Sequence, residues 1–467
     1  MRTRRTGAVL FTVLALVATA CGDRGEDAAS VDTSSTTAPE TDSGDDGEGS
    51  DEDAPGPGDF GTLTDVCGPN EGGGAVADAP AEEIQGISED TIVLGTVSDP
   101  GFTGRLGLNQ EIFDAATAFV EWCNAAGGIN GKQLELNLHD AAITQYQPVV
   151  EQACQTDFAL VGAGAVQDNL WPDIGAGCGL IDIAGFSVTP QKSGMVGQDL
   201  IDLRSVQAIP NPGDRYPAGA VKLLDEEFPE SAATTAFLYG DLQTLKVTFD
   251  KTAAAYEEIG HTIVDTGSYN ILGETNWQPF AVRLRDAGVE SFNFIGEGEN
   301  LANLQRAMKQ IDYAPTVQLM ETNFYDQEYL NAAGDAADGT FIRTAIWPFE
   351  EADANPATQQ YLDLVEAVDG KVAILGVQSM SAWLMFATAA KTCDLDDDLT
   401  RSCVLEEATS LAEWDGGGLH AATSPATNEG SDCVIVLQVV DGAFVRHAPD
   451  EDYHCDPEDI VTVSVPG

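Results

Sequence analysis

The chain has 467 residues, with 77 Asp and Glu against 21 Lys and Arg, for a formal net charge of −56. That balance excludes a nucleic-acid binder, because phosphate recognition needs concentrated Lys and Arg, and it makes carboxylate pairs uninformative, since acids fall near one another by chance. The nine Cys include no Cys-x-x-Cys pair and the five His do not join them at zinc spacing, so neither a metal nor a cofactor is expected.

Arg2, Arg4 and Arg5 precede an apolar stretch at 7–19 that is too short to span a bilayer comfortably, the layout of an export signal over residues 1–20. Ala18-Thr19-Ala20-Cys21 suits a lipoprotein signal peptidase, which cuts after small residues once the Cys thiol carries a diacylglyceryl thioether. Ala-x-Ala also suits ordinary signal peptidase, and both routes cut before Cys21. Cys21 is thus the candidate lipidation site, expected to anchor the protein to the outer face of the cell membrane by lipid alone. Residues 21–85 read as an acidic linker. From 22 to 59 they are almost all Asp, Glu, Ser, Thr, Gly and Pro, and such a stretch buries too little apolar surface to offset its ordering entropy. No second run of 18 apolar residues follows.

From Thr91 onward strands and helices alternate. Strands are expected at 91–95, 134–138, 158–161 and 180–183, with helices at 109–124, 148–155 and 169–177 between them. This is a β-α-β run, which builds a parallel sheet covered on both faces. A second run starts near Pro212: helices at 221–228, 245–259, 278–287 and 301–311 alternate with strands at 235–239, 261–266, 291–295 and 316–320. Helices at 356–368, 378–391 and 399–411 follow. A hairpin closes the chain, with Asp441-Gly442 suited to a two-residue turn. Two doubly wound units imply two α/β lobes facing a shared gap, and ligands bind such sheets at the carboxyl ends of their strands.

The string WCNAAGGINGKQLEL at 122–136 is a helix end, a glycine cap, an Asn-Gly turn and a strand. A phosphate loop would need Gly where Ala126 stands and Ser or Thr where Gln133 stands. With IVLGTVSDPGFTG before it and LHDA after it, the string resembles the leucine/isoleucine/valine-binding family of type I solute-binding proteins. The likeness runs from about Ile87 to the C-terminus and includes GDAADGTFIRTAIWP at 334–348. It implies a periplasmic-binding-protein-like α/β fold of two lobes joined by three hinge crossovers, near Ala208, Thr344 and Ala421. Lobe one would comprise 86–208 and 345–421, and lobe two 209–344 and 422–467. It also implies a monomer that serves an ABC permease and its ATPase.

Carried over by position, the resemblance implies Ser187 and Thr189, after the fourth strand of lobe one, as donors to a ligand carboxylate. The preceding loop would add backbone amides and Gln167, and Glu321 would meet a ligand ammonium. The loop at 162–167 also resembles a GxGxxG start, but Gln167 replaces the third Gly and rules out a dinucleotide site. Where aromatic residues usually line lobe two, the chain has Thr244 and Glu297-Gly298-Glu299. An amide, a polyamine or another cationic solute therefore stands beside an amino acid as the ligand, with Phe102, Trp171 and Trp347 as candidate walls. An enzyme is not expected: GFSVT around Ser187 lacks the closing Gly of a nucleophile elbow. The alternative function is a sensor domain of the same fold acting with a signalling partner.

Eight Cys remain after Cys21, and export permits four disulfides. Cys393 and Cys403 flank a short acidic turn, and Cys433 and Cys455 flank the terminal hairpin. Cys154 and Cys178 end neighbouring helices on one face of the first sheet, and elimination leaves Cys67 for Cys123.

Overall fold

A computed structural model describes residues 56–464. Lobe one opens with β1 (Thr91–Ser98), α1 (Gln110–Ala126), β2 (Gln133–Asp140), α2 (Tyr146–Thr156) and β3 (Ala159–Val161). It continues through α3 (Trp171–Ile174), β4 (Asp182–Ala184), α4 (Pro190–Ser193), α5 (Leu200–Leu203) and β5 (Ser205–Gln207). These strands form one parallel sheet in the order β2-β1-β3-β4-β5. β3 and β4 are buried at every position, because helices cover both faces.

Lobe two holds β6 (Arg215–Pro217), α6 (Gly219–Glu227), β7 (Thr235–Gly240), α7 (Gln243–Glu258), β8 (Ile263–Tyr269), α8 (Gln278–Asp286) and β9 (Ser291–Ile295). It goes on with α9 (Gly298–Gln310), β10 (Val317–Met320), α10 (Gln327–Ala333) and β11 (Phe341–Thr344). The chain then returns to lobe one for α11 (Pro356–Ala367), α12 (Ile374–Leu395) and α13 (Arg401–Ser410). It finishes in lobe two with β12 (Cys433–Val440), β13 (Ala443–Ala448), β14 (His454–Cys455) and β15 (Ile460–Thr462). The second sheet runs β13-β12-β11-β10-β9-β7-β8, with β14 on β12. β12 and β13 are antiparallel additions to a parallel core, and Asp441 (φ 51°) and Gly442 (φ 77°) make the turn between them.

Three crossovers meet between the lobes. Ala421 N–H donates to the Ala345 carbonyl at 2.8 Å, and the Thr423 hydroxyl donates to the Ala208 carbonyl at 2.9 Å, so each passage is tied to another. Buried His420 lies here between the Ser381 hydroxyl and the Ala421 carbonyl, and burial pulls its imidazole down to about 4.

The expected helix at 169–177 is broken into α3 and flanking single turns, since Gly175, Gly177 and Gly179 hold a helix poorly. β5, β6 and β15, of three residues each, are additional to the expected strands.

The linker expected up to residue 85 has to be corrected over its last part. Residues 56–85 are packed on lobe one. Phe60 is fully buried and meets Trp122 edge to face at 6.0 Å, and Val66 and Cys67 join the same core. The low-complexity composition ends at residue 59, and the apolar side chains beyond it give the segment a surface to bury. The string at 122–136 receives this segment. Asn130 bonds Glu71 N–H, the Gly72 carbonyl and Asp394, while the Lys132 ammonium donates to the carbonyls of Gly74, Ser88 and Glu89. The export signal and Cys21 lie outside the described residues.

The disulfides are Cys67–Cys123, Cys154–Cys178, Cys393–Cys403 and Cys433–Cys455, the expected pairs.

Candidate ligand-binding cleft

Between the lobes lies a cleft of about 840 Å³, in the upper part of the roughly 300–1,000 Å³ span of small-molecule sites. Lobe one contributes Leu108, Val166, Phe186 and Val188 from loops at the carboxyl ends of its strands. Lobe two contributes Leu245, Val247, Thr248, Lys251 and Thr252 from α7, Gly296 and Glu297 after β9, and Glu321 to Asn323 after β10. Ile209 and Ile346 enter from the crossovers. Parallel strands bring these loops to one edge of each sheet.

Two of the six ligand candidates line the cleft, Glu297 and Glu321; Gln167, Ser187, Thr189 and Thr244 do not. Their immediate neighbours Val166, Phe186, Val188 and Leu245 do, so the loops are those expected and the inward side chains are apolar. The reason in lobe one is Asp168, a fully buried carboxylate around which the loop folds. It accepts Val188 N–H at 2.7 Å, Thr189 N–H at 3.1 Å and the Thr189 hydroxyl at 2.6 Å. Burial pushes its carboxyl up to about 6 against the pull of Lys192. Thr189 is thus committed to Asp168. The buried hydroxyls of Ser187 and Thr244 have no partner among the described residues. Gln167 is half-buried. Gly162 serves packing, not phosphate: a Cβ there would lie 2.3 Å from the Ser379 hydroxyl and 2.7 Å from Trp383, both on α12. Of the candidate walls, Trp171 is buried in the core with its indole N–H on the Leu203 carbonyl, Phe102 is buried in a small satellite cluster, and Trp347 sits under Arg446.

Glu321 does not face the cleft as a free charge. Arg343, in β11, donates to it from Nε at 2.6 Å, and the Tyr216 hydroxyl donates at 3.1 Å, with the guanidinium 5.0 Å from the Tyr216 ring. The acid already has its cation inside lobe two. Glu297 accepts from Asn300 at 2.9 Å and Tyr269 at 3.3 Å, and burial pushes its carboxyl up.

Of the four basic residues lining the cleft, three have carboxylate partners: Arg105 with Asp326 and Glu328, Arg215 with Asp214, and Arg343 with Glu321. Lys251 has none among the described residues. Its ammonium donates only to the Asn211 side-chain oxygen and the Pro212 carbonyl, each at 2.7 Å. Burial, then the Arg343 charge, lower it to about 7 against the opposing pull of Glu321 and Asp214. The sequence carries a trace of this: Leu245, Thr248, Lys251 and Thr252 recur at helical spacing on one face of α7, with the basic residue among small and apolar ones.

Beside the cleft the lobes are bridged by charge. Lys371, ahead of α12, meets Glu111 of α1 at 3.1 Å, and Asp326 and Glu328 of lobe two at 2.9 and 3.1 Å. Arg105 meets the same two acids at 3.3 and 3.2 Å. Burial alone would lower Lys371, but Glu111 and Asp326 outweigh it and hold the ammonium above its usual range.

These lobes and crossovers make the fold of the type I periplasmic binding proteins. A family model described as a periplasmic binding protein matches residues 218–443. The chain is similar in structure to a fatty acid ABC transporter substrate-binding protein from Thermomonospora curvata, with 15% identity, 81% of this chain and 95% of that one covered, and a TM-score of 0.66. It is also similar to a leucine-binding protein from Thermotoga maritima (14%; 79% and 100%; 0.65). A substrate-binding periplasmic protein from Ralstonia solanacearum compares likewise (17%; 76% and 100%; 0.63). Comparison with curated proteins finds no match. The likeness to the leucine/isoleucine/valine-binding family read from the sequence is borne out as a likeness of fold. No helix among the described residues is long and apolar enough to cross a membrane.

Proposed function

We propose that this protein is an extracytoplasmic solute-binding lipoprotein of an ABC importer, held at the cell surface by lipidated Cys21. It binds a small ligand between lobes 86–208 plus 345–421 and 209–344 plus 422–467, and as a closed monomer delivers it to permease and ATPase subunits. The observation that carries this is the cleft of about 840 Å³ between lobes joined by three crossovers. Such a hinge lets lobe rotation couple ligand capture to a change of outer shape. Neighbours named for a fatty acid and for leucine support a carboxylate beside an apolar body as the ligand's common part.

The test is a thermal-shift screen of amino acids, amides, polyamines and carboxylic acids, followed by small-angle scattering of each hit. A binding protein raises its melting temperature and loses radius of gyration with the same ligand. Failure of every solute class to do either would refute the function.

A further inference from the structure

The cleft's lining is mainly apolar, and three of its four basic residues are cancelled by carboxylates of the protein. Leu108, Val166, Val188, Ile209, Leu245 and Ile346 come from both lobes and the crossovers, so an apolar ligand body would be surrounded as the lobes close. Glu321 is cancelled by Arg343, and Glu111 by Lys371. Of the basic residues in the lining, Lys251 alone has no carboxylate partner among the described residues; it is 9% exposed, with two neutral oxygens as partners. A buried ammonium satisfied only by neutral oxygens keeps most of its desolvation cost, and a carboxylate arriving from solvent would relieve it.

Resting on the binding-protein reading above, we propose that the ligand is an amphiphilic monoanion, its acid group on Lys251 and its hydrocarbon body against the apolar walls. The ligand needs no ammonium, because Glu321 is taken by Arg343 and Glu297 already accepts from Asn300 and Tyr269. A polyanion is disfavoured: one uncompensated cation faces it, in a protein of net charge −56 that repels anions from a distance. The proton that Lys251 lacks at about 7 would be taken up as the acid binds, since an adjacent anion favours the ammonium.

The experiment titrates the full exported protein with octanoate and 4-methylpentanoate, and with the amide and primary amine of each skeleton, beside leucine. The acids should bind at least tenfold more tightly than the matched amides and amines. Lys251→Met should weaken acid binding tenfold or more and amide binding by much less, while Lys251→Arg keeps the charge and retains the preference. Equal binding of acid and amide, tightest binding of the amine or of leucine, or full acid affinity in Lys251→Met would each overturn the assignment. If amino acids, amides or polyamines close the protein and the acids do not, the ligand class is wrong and the binding function stands. If no solute of any class closes it, that function itself is refuted.

Discussion

The Lys371 ammonium, carried by lobe one, donates to Asp326 of lobe two at 2.9 Å, and Arg105 reaches the same carboxylate from lobe one at 3.3 Å. Asp326 also accepts the Glu328 N–H at the start of α10, so one side chain both begins a helix and receives the opposite lobe. Asp326→Asn keeps the helix cap and removes the charge. Partly buried ion pairs of this kind contribute about 1–2 kcal/mol, or about 5–30-fold in a two-state population. The substitution should shift the unliganded protein toward open forms, seen as a larger radius of gyration. The wild type should open similarly as salt rises to about 1 M, where screening acts over about 3 Å. A variant with the wild-type radius and salt response would show that the bridge does not hold the lobes.

Glu321 and Arg343 should behave as a unit. Glu321→Gln leaves a guanidinium in lobe two with no carboxylate partner, a loss of about 3 kcal/mol in denaturant unfolding. Adding Arg343→Met removes the stranded charge and should restore most of that loss. If the single substitution leaves the unfolding midpoint unchanged, the pair is not structural.

Lys251 makes stability depend on pH in a stated direction. Its folded value of about 7 lies below the ~10.4 of an unfolded lysine. Between those values the unfolded chain binds a proton that the folded chain does not, so stability from this group rises with pH from about 7 to about 10. Burial, then Arg343, push the ammonium down, and Glu321 and Asp214 hold it up. Lys251→Met should therefore gain most over the wild type near pH 6, with the advantage shrinking through this window. A constant difference in unfolding free energy from pH 6 to 10 would contradict the buried, unpaired state.

The segment at 56–85 should contribute to the stability of lobe one. Joining Cys67 to Cys123 closes 56 residues of chain, for which the loop-entropy model gives about 4 kcal/mol. Replacing both with Ser should lower stability by up to that amount and open residues 70–75 to protease. Phe60→Ala, at a fully buried position, should cost about 3–5 kcal/mol. Neutral outcomes for both would return the segment to the role of a tether.

Alternation of strand and helix, the glycine stops and the cysteine positions were local or nearly local features, so the sequence alone determined the two-lobed α/β architecture, the Asp441-Gly442 turn and the cysteine pairing. It also located the cleft loops, because loops at the carboxyl ends of parallel strands must converge. Which side chains enter the cleft was decided only by tertiary structure. Thr189 is taken by Asp168, twenty-one residues away in sequence, and Glu321 by Arg343, twenty-two residues away on the neighbouring strand. Ser187 gives way to Phe186 and Val188 because the loop is wound around that buried carboxylate. Lys251 is the proposed site for the converse reason: among the described residues no carboxylate bonds its ammonium, and the absence of a partner cannot be read from a chain rich in acids. Charge compensation is a property of distances between elements, and only the folded packing sets those distances.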